Sequence, residues 1–261
     1  MALIAALAWA PAPAFAQDAD RLAPFITTPE EVVERMLVLG GTGPNDRVID
    51  LGSGDGRIVI MAAQKFGASG LGLDLDEKLV LLAREKAAAA GVAARAAFEV
   101  RDVLQADVSR ADVVTIYLLP SLMRRLQPKL LYEMKPGARI VAHAFAFEGW
   151  QPDRSEKVRL ARRHEGQGDE STVHLWVVPA QARGRWVGGG WDLTVQQNFQ
   201  AVDVQASFRG QPLELNEARL SGVEFAYAGS GYSFRGRIEG ARMLGELTRG
   251  DATVPLLLER K

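Results

Sequence analysis

Residues 48–60 read VIDLGSGDGRIVI. A short apolar run carries an acid, Asp50, and three glycines follow at alternate positions: Gly52, Gly54 and Gly56. A second apolar run begins at Ile58. Glycine lets a backbone turn tightly and approach a ligand closely. The N–H groups that open a following helix attract an anionic group. Strand, glycine loop and helix in this order begin an α/β unit whose ligand lies at the carboxyl end of the strand.

The spacing narrows the ligand. A dinucleotide loop needs G-x-G-x-x-G, and Arg57 stands where its third glycine would fall. A phosphate-binding loop ends in Gly-Lys-Ser/Thr, which GDGRIV lacks. Asp50 and Asp55 would repel a pyrophosphate and suit a ligand carrying an ammonium and a sulfonium. The next apolar run, SGLGLDL, ends at Asp74, 22 positions after Gly52. A carboxylate there can accept both hydroxyls of a ribose. The third run, AAFEVRD, ends at Asp102, placed to accept from an adenine amino group, with the Val103 backbone N–H beside it. Three successive strand ends, each with an acid, are a more specific signal than any one of them.

The flanking chain supports the same architecture. Val32, Val33, Met36 and Leu37 recur at helical spacing after TTPEE, with Thr28 expected to cap the helix and Pro29 to open it. Residues 56–66 and 76–91 read as helices, the second capped by Asp76 and stopped by Gly91. ADVVTIYLL and ARIVAHAFAF are further strands, and STVHLWVVPA is a late strand after an irregular stretch. Pro128 cannot lie inside a helix without losing a hydrogen bond. The expectation is therefore a turn to Gln127 and a helix starting at Pro128. Alternating strands and helices imply a parallel sheet covered on both faces. After Ala180 the texture changes to short alternating runs between Gly turns, as in Val202, Val204, Ala206 and Phe208. That pattern predicts an antiparallel meander or small barrel beginning near Arg183.

Composition excludes several chemistries. The 261 residues contain no cysteine, so disulfides, thiolate catalysis and cysteine-ligated zinc are ruled out. The three histidines, His143, His164 and His174, show no metal-ligand spacing, and no metal site is expected. A formal net charge of −1 offers no basic face for a phosphate backbone, so no nucleic-acid partner is expected. Arg159, Arg162 and Arg163 read as a solvated edge.

Residues 24–180 resemble a class I S-adenosylmethionine-dependent methyltransferase. VIDLGSGDGRIVI is similar to its first motif, GLGLDLD to its ribose acid and VRDVL to its adenine acid. PFITTPEEVVERML and VVTIYLLPSLMRRLQPKLLYEMKPGARIVAHAF resemble a bacterial group similar to the mitochondrial lysine methyltransferases of the ATP synthase c-subunit type. The resemblance implies a Rossmann-like, doubly wound, mostly parallel seven-stranded sheet, followed here by a small antiparallel β domain over residues 184–261. It implies S-adenosyl-L-methionine as cofactor and carries over Asp50, Gly52, Gly54, Asp74 and Asp102 as its contacts, with their neighbours Ser53, Gly56, Leu75 and Val103.

The resemblance also places Ile116 to Pro120, IYLLP, beside the transferred methyl. Many amino-methylating relatives carry Asn/Asp-Pro-Pro-Tyr/Phe there, and its absence argues against adenine or glutamine as acceptor. The expected partner is a methyl-acceptor substrate, with a protein lysine amine one candidate. Tyr117 would orient that amine or simply pack, and His143 would serve as a base or as a structural histidine. The alternative to an enzyme is an exported binding protein that reuses the fold. Residues 1–16, MALIAALAWAPAPAFA, motivate it. They form an uncharged run ending in Ala14-Phe15-Ala16, the pattern of a signal-peptide cleavage site, although no Lys or Arg precedes the run. A periplasmic or exported location is expected from this segment, a cytoplasmic one if it is only an apolar terminus. The run is too short to span a bilayer, and no transmembrane span is expected in the mature chain.

Overall fold

The computed structural model describes residues 26–164, 168–229 and 231–261. The signal-like segment 1–16 lies outside the described residues. Among those residues, no helix is long and apolar enough to cross a membrane.

Each strand of the first half follows from an apolar run. β1 (Arg47–Leu51), β2 (Ser69–Asp74), β3 (Ala96–Val100), β4 (Val113–Ile116) and β5 (Arg139–His143) pair in parallel in the order β3-β2-β1-β4-β5. Helices α1 (Glu30–Leu39), α2 (Arg57–Phe66), α3 (Glu77–Ala89) and α4 (Pro120–Glu133) cover the sheet. β6 (Arg154–His164) and β7 (Gly168–Val177) complete seven strands, with β7 antiparallel to β5 and β6 antiparallel at the edge. Strand order reverses between β1 and β4, and in such sheets this switch point opens the ligand crevice.

Three expectations about local structure need correction. α4 runs unbroken through Pro128. Met123, Leu126 and Leu130 form its buried stripe, while Pro128 and Arg124 are exposed. The carbonyl of Arg124, deprived of its partner by the proline, therefore sits on the solvent side, and the apolar stripe holds the helix together. Residues 154–164, expected to be irregular, form an edge strand. Their charge masked the alternation, because among the described side chains of the strand Val158 and Leu160 alone join the apolar core. Thr28 does not cap α1: Pro29 occupies the N-cap and no side chain accepts there. Asp76 does cap α3, accepting from the backbone N–H groups of Lys78 and Leu79.

The second sheet has nine antiparallel strands. The first four are β8 (Gly184–Gly188), β9 (Trp191–Asn198), β10 (Ala201–Phe208) and β11 (Gln211–Leu213). A second meander follows in β12 (Leu215–Ser221), β13 (Glu224–Gly229), β14 (Tyr232–Glu239), β15 (Arg242–Arg249) and β16 (Ala252–Arg260). Pairing of β16 with β8 joins the two meanders. β11 and β12, at opposite edges, are linked through Glu214 alone, and β10 packs against β12. The sheet is thereby curled around a core of Trp186, Leu193, Phe225, Tyr227, Phe234 and Met243. It rests on the first sheet through Trp150, whose ring stacks on Phe199 at 5.4 Å and whose Nε1 donates to Gln200 at 2.8 Å.

Candidate functional site

A cleft of about 850 Å³ opens along the carboxyl ends of the parallel strands. From the β3 side inward its wall is formed by Asp102 and Val103, then Asp74 and Leu75, then Asp50 and the loop residues Gly52, Ser53 and Gly54. Tyr117, Leu118 and Leu119, after β4, continue the wall, and Ile26, Thr27 and Thr28 face it from the other side. Thus eight of the nine residues expected to contact a cofactor lie on one cleft.

Gly56 is the exception. It is the N-cap of α2 with φ +81°, and a Cβ there would sit 2.7 Å from Phe98 and 2.8 Å from Ala83. The position needs glycine so that α2 can pack against β3 and α3, rather than to admit a ligand.

The loop is held by carboxylates. Asp74 Oδ2 accepts the Gly54 N–H at 2.8 Å, and its Oδ1 accepts the Asp76 N–H at 3.0 Å. Asp102 accepts from the Leu104 N–H at 2.9 Å, which starts a short 3-10 turn. Asp50 sits inside β1, directly across the ladder from Thr115 of β4, whose hydroxyl donates to it at 2.8 Å. The residue is 2% exposed. Burial pushes its carboxyl up to about 7 against the pull of Thr115, and the nearby acids Asp74 and Asp55 push the same way.

Asp55 behaves differently from the expectation. Burial alone would raise its carboxyl, but Arg57 and Lys86 outweigh that and hold it at about 2. Arg57 makes a two-point contact at 2.9 and 2.8 Å, and Lys86 approaches to 2.6 Å. Arg57 also donates to the Thr28 carbonyl at 2.7 Å. Asp55 is therefore neutralised inside the protein and ties the entry of α1 to α2 and α3. It does not offer a free charge to a ligand, and the repulsion argued from it rests on Asp50 alone.

The two catalytic candidates separate. Tyr117 lines the cleft. His143 is fully buried at the end of β5, its ring centroid 4.0 Å from that of Tyr117. Its Nδ1 lies 3.2 Å from Thr28 Oγ1 and its Nε2 2.5 Å from Ser171 Oγ. Among the described residues, His143 touches two that line the cleft, Tyr117 and Thr28. Sequence reading missed the pairs Asp50–Thr115 and Thr28–His143. Both join segments far apart in the chain: strand register brings the first pair together, and packing of α1 on β5 the second.

Two features test the cleft for S-adenosylmethionine. Ser53 Oγ is buried with no hydrogen-bond partner among the described residues. The buried Asp50 carboxyl has a hydroxyl donor, and among the described residues no Lys or Arg side chain pairs with it. A buried acceptor and a carboxylate of this kind fit a ligand that brings an ammonium and N–H groups.

Comparison with known proteins agrees with this geometry. A model of the ANTKMT methyltransferase domain matches residues 50–154. A protein-lysine N-methyltransferase of Saccharolobus islandicus is 38% identical over 156 residues, covering 59% of this chain and 93% of that protein. The ATP synthase c-subunit lysine N-methyltransferase of Mus musculus is 34% identical over 174 residues, covering 63% of this chain and 64% of that protein. The chain thus spans a little under two thirds of the mouse relative. The crystal structure of an RNA methyltransferase from Salinibacter ruber in complex with S-adenosyl-L-homocysteine is 45% identical, with a TM-score of 0.54 over 60% of this chain and 95% of that one.

Proposed function

The chain belongs to the S-adenosylmethionine-dependent methyltransferases of the ANTKMT-domain family, and from that premise we propose that it methylates the side-chain amine of a lysine in a protein. The order of groups along the strand ends carries the proposal. Neighbouring strands are about 4.8 Å apart, so the ends of β3, β2, β1 and β4 span roughly 14 Å. Asp102 at β3 would take the adenine, Asp74 at β2 the ribose, and Asp50 with Ser53 at β1 the amino-acid end. Leu75 and Val103 would flank the adenosine, and Gly52 and Gly54 would let the backbone close in. Bound there, S-adenosylmethionine supplies a methyl group on a sulfonium, an electrophile that needs only a correctly placed nucleophile.

The acceptor would then lie beyond β1, over β4 and β5. That end of the cleft carries Tyr117, Leu118, Leu119, Leu122 and Ile26, with Thr28 opposite. Apolar side chains of this kind hold the alkyl stem of a lysine. They also disfavour its charged form, so the amine enters more readily as the neutral nucleophile. The protein's contribution is orientation and desolvation rather than a covalent intermediate. The relative from Saccharolobus islandicus, matched over nearly all of its length, is named for lysine methylation, which supports the same acceptor class.

Quantitative mass spectrometry of cells with and without the chain tests the proposal. Specific lysine methyl marks are expected to vanish without it. An unchanged lysine methylome with lost RNA methylation would replace lysine by RNA as the acceptor.

A further inference from the structure

Thr28, His143 and Ser171 form a buried line of three polar side chains, 5%, 0% and 3% exposed. They come from the entry of α1, the end of β5 and the middle of β7. Of the three, only Thr28 reaches the cleft. Two features make this line more than packing. Thr28 stands immediately before the N-cap of α1, which no side chain caps, yet its hydroxyl turns to His143. A capping hydroxyl stabilises a helix by about 1 kcal/mol, so the chain forgoes a local gain. The His143 ring also lies against Tyr117, which lines the cleft as Thr28 does. Burying such a network is costly unless its members satisfy one another.

Resting on the lysine reading above, we infer that His143 is a positioning residue that orients the Thr28 hydroxyl to receive an N–H of the acceptor amine. The proton positions decide this. With the imidazole proton on Nε2, that N–H donates to Ser171 Oγ, and Nδ1 presents a lone pair. The Thr28 hydroxyl then donates to Nδ1, which leaves its oxygen lone pairs facing the cleft. An amine N–H bonded to that oxygen holds the nitrogen in a fixed direction, with the Tyr117 ring, backed by His143, limiting its lateral movement. The other tautomer would make Thr28 a donor toward the cleft and would turn the amine the wrong way. No bond is made or broken at His143, and its proton stays on Nε2 throughout.

Nitrogen-15 NMR of the imidazole, on the full chain loaded with S-adenosyl-L-homocysteine, reads the tautomer without any acceptor. The Nε2–H form is expected, and the Nδ1–H form overturns the inference. Transfer is read with tritium-labelled S-adenosylmethionine and an extract of cells lacking the chain, by counting label in methyllysine. Thr28→Val and His143→Gln are expected to lower kcat at least about tenfold, as misplacement of a nucleophile does. Affinity for S-adenosylmethionine and its KM should stay unchanged, and Thr28→Ser should restore the rate. Thr28→Val keeps the shape of the side chain, so it serves where His143→Gln does not fold. Full rates in Thr28→Val, or loss of rate and cofactor affinity together, overturn the inference alone. A wild-type chain that labels no lysine overturns the acceptor reading and this inference with it.

Discussion

Asp74 Oδ2 accepts the backbone N–H of Gly54 at 2.8 Å, so the acid that ends β2 also fixes the glycine loop that follows β1. On the cofactor placement proposed above, the same carboxylate would have a second task, meeting a ribose. Asp74→Ala is expected to weaken S-adenosylmethionine binding by about 1.5–3 kcal/mol, the range for hydrogen bonds to a charged group. Asp74→Asn keeps an acceptor for Gly54 and should recover part of that loss. Calorimetry on both variants separates the tasks, and unchanged affinity in Asp74→Ala would remove the ribose role.

Asp50 is expected to make cofactor binding depend on pH. Its carboxyl is held up at about 7 in the free protein, mainly by burial. It is therefore largely neutral below that pH and charged above it. A bound ammonium would favour the charged form, so affinity should rise as pH increases through about 7, with proton release on binding. Stability of the free chain should move the other way. A carboxyl raised above its ordinary value contributes stability in full at low pH, and that contribution is lost as pH rises through about 7. Asp50→Asn should flatten both profiles. Titrations at about one pH unit either side of that value, in buffers of different ionisation enthalpy, measure the effect.

Asp55 should matter for stability rather than for ligand charge. Its contacts with Arg57 and Lys86 hold the carboxyl at about 2. Its contribution is present above the ordinary carboxylate value and lost as pH falls through about 2. Asp55→Asn is expected to cost roughly 1.5–3 kcal/mol at neutral pH, as loss of charge-assisted hydrogen bonds does. The difference from wild type should shrink as acid titrates the native carboxyl. Urea unfolding at neutral pH and again in acid near the native carboxyl's titration checks this.

Gly56→Ala combines a left-handed backbone with a clash against Phe98 and Ala83. A destabilisation of about 1–3 kcal/mol is expected from the strained conformation. Affinity per folded molecule should change little, because Gly56 does not line the cleft. A thermal melt paired with calorimetry distinguishes this from a cofactor-contact role.

The parallel half of the fold was legible because its strands and helices carry their own periodicity. RVIDL, SGLGLDL and AAFEVRD each carry an acid at or near their end, and strand ends are where such a sheet places its ligand. What failed to read was decided by contacts distant in the chain. Pro128 stays helical because Met123, Leu126 and Leu130 anchor the opposite face. The edge strand β6 hides its apolar positions among arginines, a lysine and a glutamate. Thr28 looked like a cap because nothing local reveals His143, 115 residues away. Asp55 looked like a ligand charge because Lys86, 31 residues away, is invisible at the level of a loop motif.

Lysine as the methyl acceptor is decided by label transfer from tritiated S-adenosylmethionine to an extract of cells lacking the chain. With purified wild-type chain, the label is predicted to appear in methyllysine after acid hydrolysis of the protein fraction, and Asp74→Ala should reduce it. Label confined to the nucleic-acid fraction, or to neither fraction while the chain still binds S-adenosylmethionine, would contradict lysine as the acceptor.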